Sequence, residues 1–509
     1  MPELRIKKDI GMLKKKLAVN TVVSILYQIT VIICGFILPR AILGTFGSEI
    51  NGLVNSITQF LSIVSLMELG VGAVVSSSLY GPLAEKNWGK VSEVVSAAEA
   101  FFGKIAKILL TYVILLVIVY PFINNSGFDA IYTGTLILII SINSFAQYYI
   151  GVVDNIILGA DQRAFIVYGT QAIATLLNTI LCIVVMQFNA EIHIVKLVTA
   201  SVYLIRPILV RVYIKKKYHI NRQKEYTGEP IQQKWNAVAQ HISECVLDST
   251  DVIILTVFST LANVSIYYVY NLVVYNLKNF FLISASSGVL AIFGELYATH
   301  RKDELEDFFN KAEWIIHTLV VFLFAVTEVL IIPFITVYTD NITDANYIQP
   351  AFAFFIVLAH ASHCIRLPYF LMIKAAGHYQ QTQNCFIIST IANITISIVL
   401  VHKFGLVGVA VGTLIAMIYQ TCWLAIYAYQ NLLKKSMWEF LKRLGIDIIT
   451  FVLICGVGFI FTMKRISYIS WVFLAIKVVL SAVAIMIIVE LVCDRSKTIE
   501  LIKGKKTGR

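Results

Sequence analysis

Residues 17–39 read LAVNTVVSILYQITVIICGFILP and contain no charged side chain. A helix needs about 20 mainly apolar residues to cross the ~30 Å hydrocarbon core of a bilayer, so this stretch is long enough to span it. Similar stretches recur along the chain, which has 509 residues, 58% of them hydrophobic and 14% charged. The composition excludes an ordinary soluble domain. We therefore predict an all-α integral membrane protein.

Fourteen such stretches are predicted to be transmembrane helices, numbered here as spans 1 to 14. They cover approximately 17–39, 51–79, 105–123, 131–157, 165–188, 194–213, 236–258, 265–294, 314–337, 348–373, 381–401, 406–428, 445–463 and 471–492.

The distribution of lysine and arginine predicts how these spans are oriented. Basic residues concentrate in residues 1–16, 214–234 and 494–509 and in the other loops on the same side, and they are scarce in the opposite loops. Cytoplasmic loops carry such an excess, so both termini of this multi-pass protein are predicted to be cytoplasmic. The formal net charge of +11 then reflects orientation and attraction to anionic lipids. With no soluble basic domain, we expect no nucleic-acid partner.

The cysteines are not arranged for metal binding or for disulfides. The chain has eight, scattered singly through apolar segments, without a CxxC motif or a Cys/His cluster. We expect no metal and no cofactor.

Two pairs of polar linkers suggest an internal duplication. AEKNWGKVSEVVSAAE (84–99) corresponds to ATHRKDELEDFFNKAE (298–313), and LGADQRA (158–164) corresponds to AAGHYQQ (375–381). Because they occur in the same order, spans 1–6 and 7–12 are predicted to be parallel repeats. Each repeat forms a six-helix bundle, and a pseudo-two-fold axis along the membrane normal relates the two.

This duplication predicts how the chain is divided. Spans 13 and 14 fall outside it and form an accessory helix pair, and a basic linker that can absorb movement joins the halves. The predicted parts are a basic N-terminus (1–16), the N-terminal half (17–213), the linker (214–234), the C-terminal half (235–429), the accessory spans (430–493) and a basic tail (494–509).

Span 7 carries ionisable residues at helical spacing within an apolar stretch. His241, Glu244, Asp248 and Asp251 project from one arc of a helix, and Lys278 lies in span 8. A charge at membrane depth costs at least ~2.5 kcal/mol unless it faces protein or water. We therefore predict a wet functional cavity beside these spans.

The free-energy cost of placing a charge in the membrane depends on its depth along the span. At 1.5 Å per residue, Asp248, Lys278 and Arg206 lie near the bilayer midplane. Arg366 lies in the inner half of span 10, and Arg40 lies near the outer rim of span 1.

Charges near the inner interface are predicted to be anchors, because their side chains can reach water. They include Asp154 and Asp447. Glu328 is deep in span 9, and the sequence identifies no partner for it.

Uncharged polar side chains line other faces of the predicted cavity. Asn55 and Gln59 lie in span 2, and Tyr267, Asn271 and Tyr275 share a face of span 8 with the lysine. The alternative is that small and polar residues mediate helix packing.

The stretch GFILPRAILGTFGSEINGLVNSITQFLSIVSLMELGVG (35–72), with further matches at 159–169 and 375–413, resembles the polysaccharide-biosynthesis flippases. These form the Wzx-type branch of the multidrug/oligosaccharidyl-lipid/polysaccharide (MOP) superfamily. The resemblance implies a transporter, not an enzyme, in the bacterial cytoplasmic membrane. It would move a polyprenyl-pyrophosphate-linked oligosaccharide for O-antigen, capsule or exopolysaccharide assembly, by alternating access coupled to H⁺ or Na⁺.

The resemblance also implies roles for the cavity residues. The pyrophosphate would contact basic side chains, the sugars would contact polar and aromatic ones, and the acids and histidine of span 7 are coupling-ion candidates. The basic set is Lys278, Arg206, Arg366 and Arg40, and the sugar set is Tyr267, Asn271, Tyr275, Asn55 and Gln59. Unlike the family pattern, spans 1 and 2 contribute only Arg40 as a basic cavity residue.

Two other functions are weighed against the flippase. A multidrug extruder of the MATE type would use the acidic stripe to bind organic cations, but the deep basic residues oppose this. A membrane polysaccharide polymerase or glycosyltransferase would need a large outward loop, and the outward loops here are short. The expected partners are a lipid-linked glycan, membrane lipids and other polysaccharide-assembly proteins, and the protein is expected to be a monomer.

Overall fold

A computed structural model describes residues 2–64, 71–123, 127–225 and 238–493, without the side chains of 2–15, 17, 238–241 and 283–287. Ten helices in these ranges are long and apolar enough to cross a membrane. Helices and turns account for the ordered elements of the described residues, and no strand occurs among them. The prediction of an all-α membrane protein is confirmed, and the count of fourteen spans stays a prediction.

Each predicted span overlaps at least one helix. A π-helical turn, Gln147–Gly151, lies within span 4, and a second, Ala428–Leu433, begins at the last residue of span 12. The α-helices of the described residues are α1 (Pro2–Ser62), α2 (Val71–Ala84), α3 (Trp88–Ile123), α4 (Ala130–Ala146), α5 (Val152–Ala160), α6 (Ala164–Gln187), α7 (Ile192–Lys217), α8 (Val238–Phe258), α9 (Leu261–Ala298), α10 (Lys302–Tyr338), α11 (Pro350–Ile365), α12 (Leu367–Ala375), α13 (Tyr379–Phe404), α14 (Leu406–Tyr427), α15 (Met437–Gly458) and α16 (Tyr468–Cys493).

Helix α1 is broken at Gly47, between predicted spans 1 and 2. This residue has φ 80° and ψ 179°, a conformation that side-chain-bearing residues avoid and glycine tolerates. The break lies within the FGSEINGL segment that follows span 1. It lets one run of helical residues contribute to two predicted spans.

The chain forms two compact units, residues 1–265 (unit 1) and 266–509 (unit 2). The division falls within α9, whereas the sequence placed it in the linker 214–234. Contacts of unit 1 explain the difference. The Asn51 amide donates to the Ser265 hydroxyl at 2.7 Å, and the hydroxyls of Ser56 and Thr256 are 2.7 Å apart. Helix α8 therefore packs with α1 in unit 1.

The first part of the predicted linker is docked on unit 1. The backbone N–H of Asn221 donates to the Ser92 hydroxyl at 2.9 Å, and Lys224 Nζ donates to the Gly89 carbonyl at 3.0 Å. Tyr218, which follows α7 directly, meets the edge of a tryptophan at the start of α3. Burial and a hydrogen bond to Asp161 raise the pKa of Tyr218. Residues 226–237 lie outside the described part of the chain.

An ion-pair network holds this docked segment in place. Asp154, which is fully buried, accepts from Arg211 Nε at 3.0 Å and from Arg222 Nη2 at 2.6 Å, and both arginines also bind Glu99. Burial lowers the pKa of Arg222, but Asp154 and Glu99 together raise it above its ordinary value. Asp154 is therefore an interior ion-pair partner, and its prediction as an interfacial anchor is wrong.

The duplicated linkers adopt the same turn. Lys86 and His300 occupy corresponding positions and both have φ 56°, and the residue after each donates to the carbonyl five residues earlier. Gln162 (φ 56°) and Gly377 (φ 73°) form the same turn, but Gly377 lies two residues before the position that the alignment of LGADQRA with AAGHYQQ pairs with Gln162. These turns end helices in the manner of Schellman motifs. The linker pattern thus has a shared local geometry, and the pseudo-two-fold axis stays a prediction.

The predicted accessory pair, α15 and α16, packs closely on α10 within unit 2. Fully buried Ala325, Ile454 and Val478 bring one residue from each of the three helices into one apolar cluster. Asp447 on α15 is also buried. Its prediction as an interfacial anchor is wrong, because the carboxylate faces α10 rather than solvent.

Candidate functional site

Lys278 on α9 is a buried cation of unit 2, with 2% of its surface exposed. Its Nζ lies 4.7 Å from the ring centroid of Tyr275, within the range of a cation–π interaction. It also interacts electrostatically with His360 and His363 on α11. Lys278 is therefore a buried cation, and its depth in the membrane stays a prediction.

Arg366 lies at the junction between α11 and α12 and is equally buried. Pro368 follows the break and lacks the N–H that would continue the helical hydrogen bonds. The guanidinium donates to His363 Nε2 at 3.1 Å and lies 5.3 Å from the ring of Phe370. Because His363 interacts with both cations, Arg366 and Lys278 belong to one cationic region of unit 2.

The other predicted residues of span 8 differ from one another. Tyr267 is buried and its ring packs 5.9 Å from that of Phe352, as a core residue would. Tyr275 is 37% exposed. The carbonyl oxygen of the Asn271 side chain is buried and accepts no hydrogen bond from the described residues. Asn271 and Tyr275 are therefore the span 8 residues with capacity for a further polar contact.

Arg206 lies in unit 1, on α7. Its Nε is buried and has no hydrogen-bond partner among the described residues, while Tyr27 and Tyr203 interact with it electrostatically. Tyr27 also stacks on Tyr168, with ring centroids 5.6 Å apart. The predicted basic residues are thus divided between the units, with Arg206 among tyrosines in unit 1.

The predicted polar residues of α1 bond within their own helix. The Asn55 amide donates to the Asn51 carbonyl at 2.8 Å, and the Gln59 amide donates to the Ser62 hydroxyl at 3.0 Å. These bonds agree with the helix-packing alternative as well as with a cavity. Arg40 is half-buried, close to the next turn of α1.

The acidic stripe of α8 lies in unit 1. Asp251 is buried, Glu244 is half-buried and Asp248 is exposed. The side chain of His241 lies outside the described residues. The three acids thus occupy different environments along one helix. Among the described residues, no three histidine, cysteine, aspartate or glutamate side chains converge as a metal site.

Sequence reasoning missed a buried polar cluster on α10, where Glu313 and His317 are one turn apart. Tyr369 on α12 has its hydroxyl 2.6 Å from Glu313 Oε1 and 3.0 Å from His317 Nε2. Tyr429 donates to the same carboxylate at 2.9 Å. On the other side of the ring, His317 Nδ1 lies 2.6 Å from Asp447 Oδ2. The motif EWIIH (313–317), which places an acid and a histidine one turn apart on a helix, was the sequence feature that could have indicated this cluster.

This cluster continues through α15 to α16. Arg443 Nε lies 3.1 Å from Asp447 Oδ1, and its Nη2 lies 3.0 Å from Glu490 Oε1. Trp314 Nε1 donates to Glu490 Oε2 at 2.8 Å. Polar contacts therefore connect both accessory helices to α10.

Solved structures of known transporters share this architecture. The lipid II flippase MurJ in an inward closed conformation superposes with a TM-score of 0.65 at 16% identity, over 91% of this chain and 98% of MurJ. An inward-facing multidrug resistance MATE family transporter of the MOP superfamily gives 0.54 at 14% identity, over 82% and 98%.

The chain has the fold of the MOP superfamily. The Vibrio cholerae MATE transporter VcmN also shares this MOP fold, with a TM-score of 0.54 at 13% identity over 83% of this chain and 98% of VcmN. No protein-family model and no curated protein sequence matches the chain. The chain therefore shares its fold with these transporters, and membership of the superfamily that the sequence resembles stays a prediction.

Proposed function

We propose that this protein is a flippase that moves a polyprenyl-pyrophosphate-linked oligosaccharide across the bacterial cytoplasmic membrane for surface polysaccharide assembly. The observation that carries the proposal is the buried cationic region of unit 2, formed by Lys278 and Arg366. A pyrophosphate must shed water to cross a low-dielectric region, which is costly unless cations replace the solvent. Lysine and arginine are positively charged and donate charge-assisted hydrogen bonds to phosphate oxygens.

The surroundings of the two cations suit the rest of such a head group. Tyr275 and Asn271 offer an aromatic face and an amide acceptor to sugar hydroxyls. Arg206, among tyrosines in unit 1, offers a further cation. Each of these groups offers a contact of the kind that a charged, sugar-bearing head group requires.

An apolar cavity of unit 2 suits a prenyl chain. It has a volume of about 410 Å³ and lies between α10, α11, α14 and α15. Phe324, Phe354, Ile418 and Phe451 are among the residues that line it, and Asp447 also lines it. Such a cavity would shelter part of the lipid tail while the head group crosses.

The comparisons agree with a lipid-linked substrate. MurJ, a lipid II flippase, covers 91% of this chain, and the two MATE transporters cover 82% and 83%. We further propose that transport proceeds by alternating access, with H⁺ or Na⁺ as coupling ion. Glu244, Asp248 and Asp251 on α8, with His241, are the candidates for binding that ion.

Binding of a polyprenyl diphosphate to the purified protein tests the proposal. Replacing Lys278 with alanine removes a buried charge-assisted contact worth about 1.5–3 kcal/mol, so we expect binding to weaken about 10- to 100-fold. Arg366→Ala is expected to act similarly. Titration of detergent-solubilised protein by native mass spectrometry measures the affinity.

Lys311→Ala is the matched control, because this lysine of α10 is 55% exposed and pairs with Asp307 on the same helix. It should leave the affinity unchanged. Equal affinity for the diphosphate in wild type and Lys278→Ala would remove the lysine from the site.

The MATE-type alternative rests on the acidic stripe, and an organic cation such as ethidium tests it. Tight binding of ethidium that is lost in Asp251→Asn, together with no binding of the diphosphate, would favour a multidrug extruder. The flippase proposal expects the reverse result.

A further inference from the structure

Three hydrogen-bond contacts lie around Tyr369, but Tyr369 and a neutral His317 have too few hydrogens to make all of them. Three contacts are involved: His317 Nδ1 with Asp447 Oδ2 at 2.6 Å, His317 Nε2 with the Tyr369 hydroxyl at 3.0 Å, and that hydroxyl with Glu313 Oε1 at 2.6 Å. Each needs one hydrogen, because lone pairs facing one another at these distances repel.

A neutral histidine and a tyrosine supply only two hydrogens to these three contacts. The third hydrogen must be added to His317, which becomes an imidazolium, or to Glu313 or Asp447, which becomes a carboxylic acid. In each case all the hydrogen bonds of the chain from Asp447 to Glu313 are made. The cluster is therefore complete only when it holds one extra proton.

The charges around the cluster also favour that proton. Its groups come from α10, α12, the π-helical turn after α14, α15 and α16, and all of them are buried. Glu313 and Asp447, both buried, lie at the two ends of the chain of contacts, and a proton between them offsets the repulsion of two carboxylates away from water. The facing ionisable groups are Glu313, His317, Tyr369, Tyr429, Arg443, Asp447 and Glu490.

The proton lies where it affects the docking of α15. Asp447 bonds directly to His317, and Arg443 donates to Thr318 on α10 at 2.8 Å. Loss of the proton would leave one of the three contacts without a hydrogen and add one negative charge to this buried chain of groups, which weakens the compensation of the Asp447 carboxylate.

We propose that Glu313, Tyr369 and His317 form a binding site for one proton, and that this proton holds α15 docked on α10. The site is separate from the cationic region around Lys278, and the proposal requires no transported substrate. Because Asp447 also lines the apolar cavity, release of the proton would loosen one wall of that cavity.

Cys455 offers a local reporter for the test. It is buried at the contact of α15 with α10, with its Sγ 3.9 Å from the Ala325 carbonyl. Protein with the other cysteines replaced by alanine is labelled with a maleimide between pH 6.5 and pH 9. The labelling rate is compared with that of the same protein carrying Glu313→Gln, whose amide supplies the third hydrogen permanently.

The labelling rate of the protein with Glu313 is divided by that of the Glu313→Gln variant at each pH, which cancels the intrinsic reactivity of the thiol. We expect a ratio near one at pH 6.5 that rises by up to about tenfold per pH unit once the proton is released. Asp307→Asn, an exposed change on the same helix, should behave as the wild type. A ratio that stays constant over the whole pH range would overturn the proposal.

Tyr369→Phe is the second variant, in case Glu313→Gln does not fold. It removes two of the three contacts, so no extra proton is required. Labelling of Cys455 should then be fast, and its pH dependence should be that of an unhindered thiol. A pH dependence equal to that of the wild type would again overturn the proposal.

Discussion

At the scale of single residues, several side chains have roles that depend on close surroundings rather than on residue type. Lys278 and Lys311 are both lysines of unit 2, yet one is buried over an aromatic ring and the other is half-exposed on a helix surface. Asp154 and Asp447 both lie near span ends and are both buried ion-pair partners. Charge sign alone therefore does not identify a functional side chain here.

Gly408 illustrates how a single residue controls helix packing. A Cβ at this position would lie 2.5 Å from the Leu400 carbonyl oxygen, and Gly412 one turn later faces α13 equally closely. The pair forms a GxxxG motif, which lets helix backbones approach. Gly408→Ala is expected to destabilise the protein by about 1–3 kcal/mol, because backbone must move to admit the methyl group.

Thermal unfolding in detergent measures this effect as a lower melting temperature. Gly445→Ala is the matched control, because a Cβ there meets nothing within 4 Å. An equal melting temperature for Gly408→Ala and wild type would show that α13 and α14 can separate without cost.

At the scale of elements, two segments are more firmly attached than their sequences suggested. Helices α15 and α16 share an apolar cluster and a buried polar network with α10. The start of the linker after α7 is bonded to the beginning of α3. The described start of the linker is therefore attached to unit 1.

Arg222→Ala should release the docked start of the linker. Asp154 would keep only Arg211 as a cationic partner, and an incompletely paired buried carboxylate costs about 1–3 kcal/mol. We expect trypsin to cleave after Lys224 faster than in the wild type, as followed by limited proteolysis.

Lys216→Ala, an exposed change at the end of α7, should leave the cleavage rate at Lys224 unchanged. Protection of Lys224 in the Arg222→Ala variant would instead mean that the hydrogen bonds to Ser92 and Gly89 suffice to hold the segment.

At the scale of the whole molecule, the proposed function requires both a cationic head-group region and an apolar shelter for the lipid. Unit 2 contains Lys278 and Arg366 and, separately, the cavity of about 410 Å³. Unit 1 contributes Arg206 and the acidic stripe of α8. A substrate that is both anionic and lipid-linked fits these features better than a small organic cation.

Deletion of the gene tests this function in the cell. We expect one surface polysaccharide to disappear and its lipid-linked precursor to accumulate on the cytoplasmic face, because synthesis continues while translocation stops. Glycan staining and lipid extraction measure the two effects.

Complementation with the Lys311→Ala variant should restore the polysaccharide, and complementation with Lys278→Ala should not, at equal protein levels in the membrane. Normal glycan output from the Lys278→Ala strain would exclude this lysine from transport.

The sequence alone determined the all-α membrane class, the positions of the helices and the repeated turns. These features depend on hydropathy and on residues near one another in the chain, as in the paired turns at Lys86 and His300. It also predicted Lys278 and Arg366 as basic residues within spans 8 and 10, because position within a span follows from distance along a helix. Their common neighbour, His363, became apparent only when α9 and α11 were placed together.

Only the tertiary structure decided which distant residues meet. Glu313, Tyr369 and Asp447 come from three helices, and no periodicity in the chain relates them. The same holds for the division of the units within α9, which follows from the packing of α8 on α1. Helix-to-helix contacts depend on the fit of whole surfaces, and local spacing in a sequence does not contain that information.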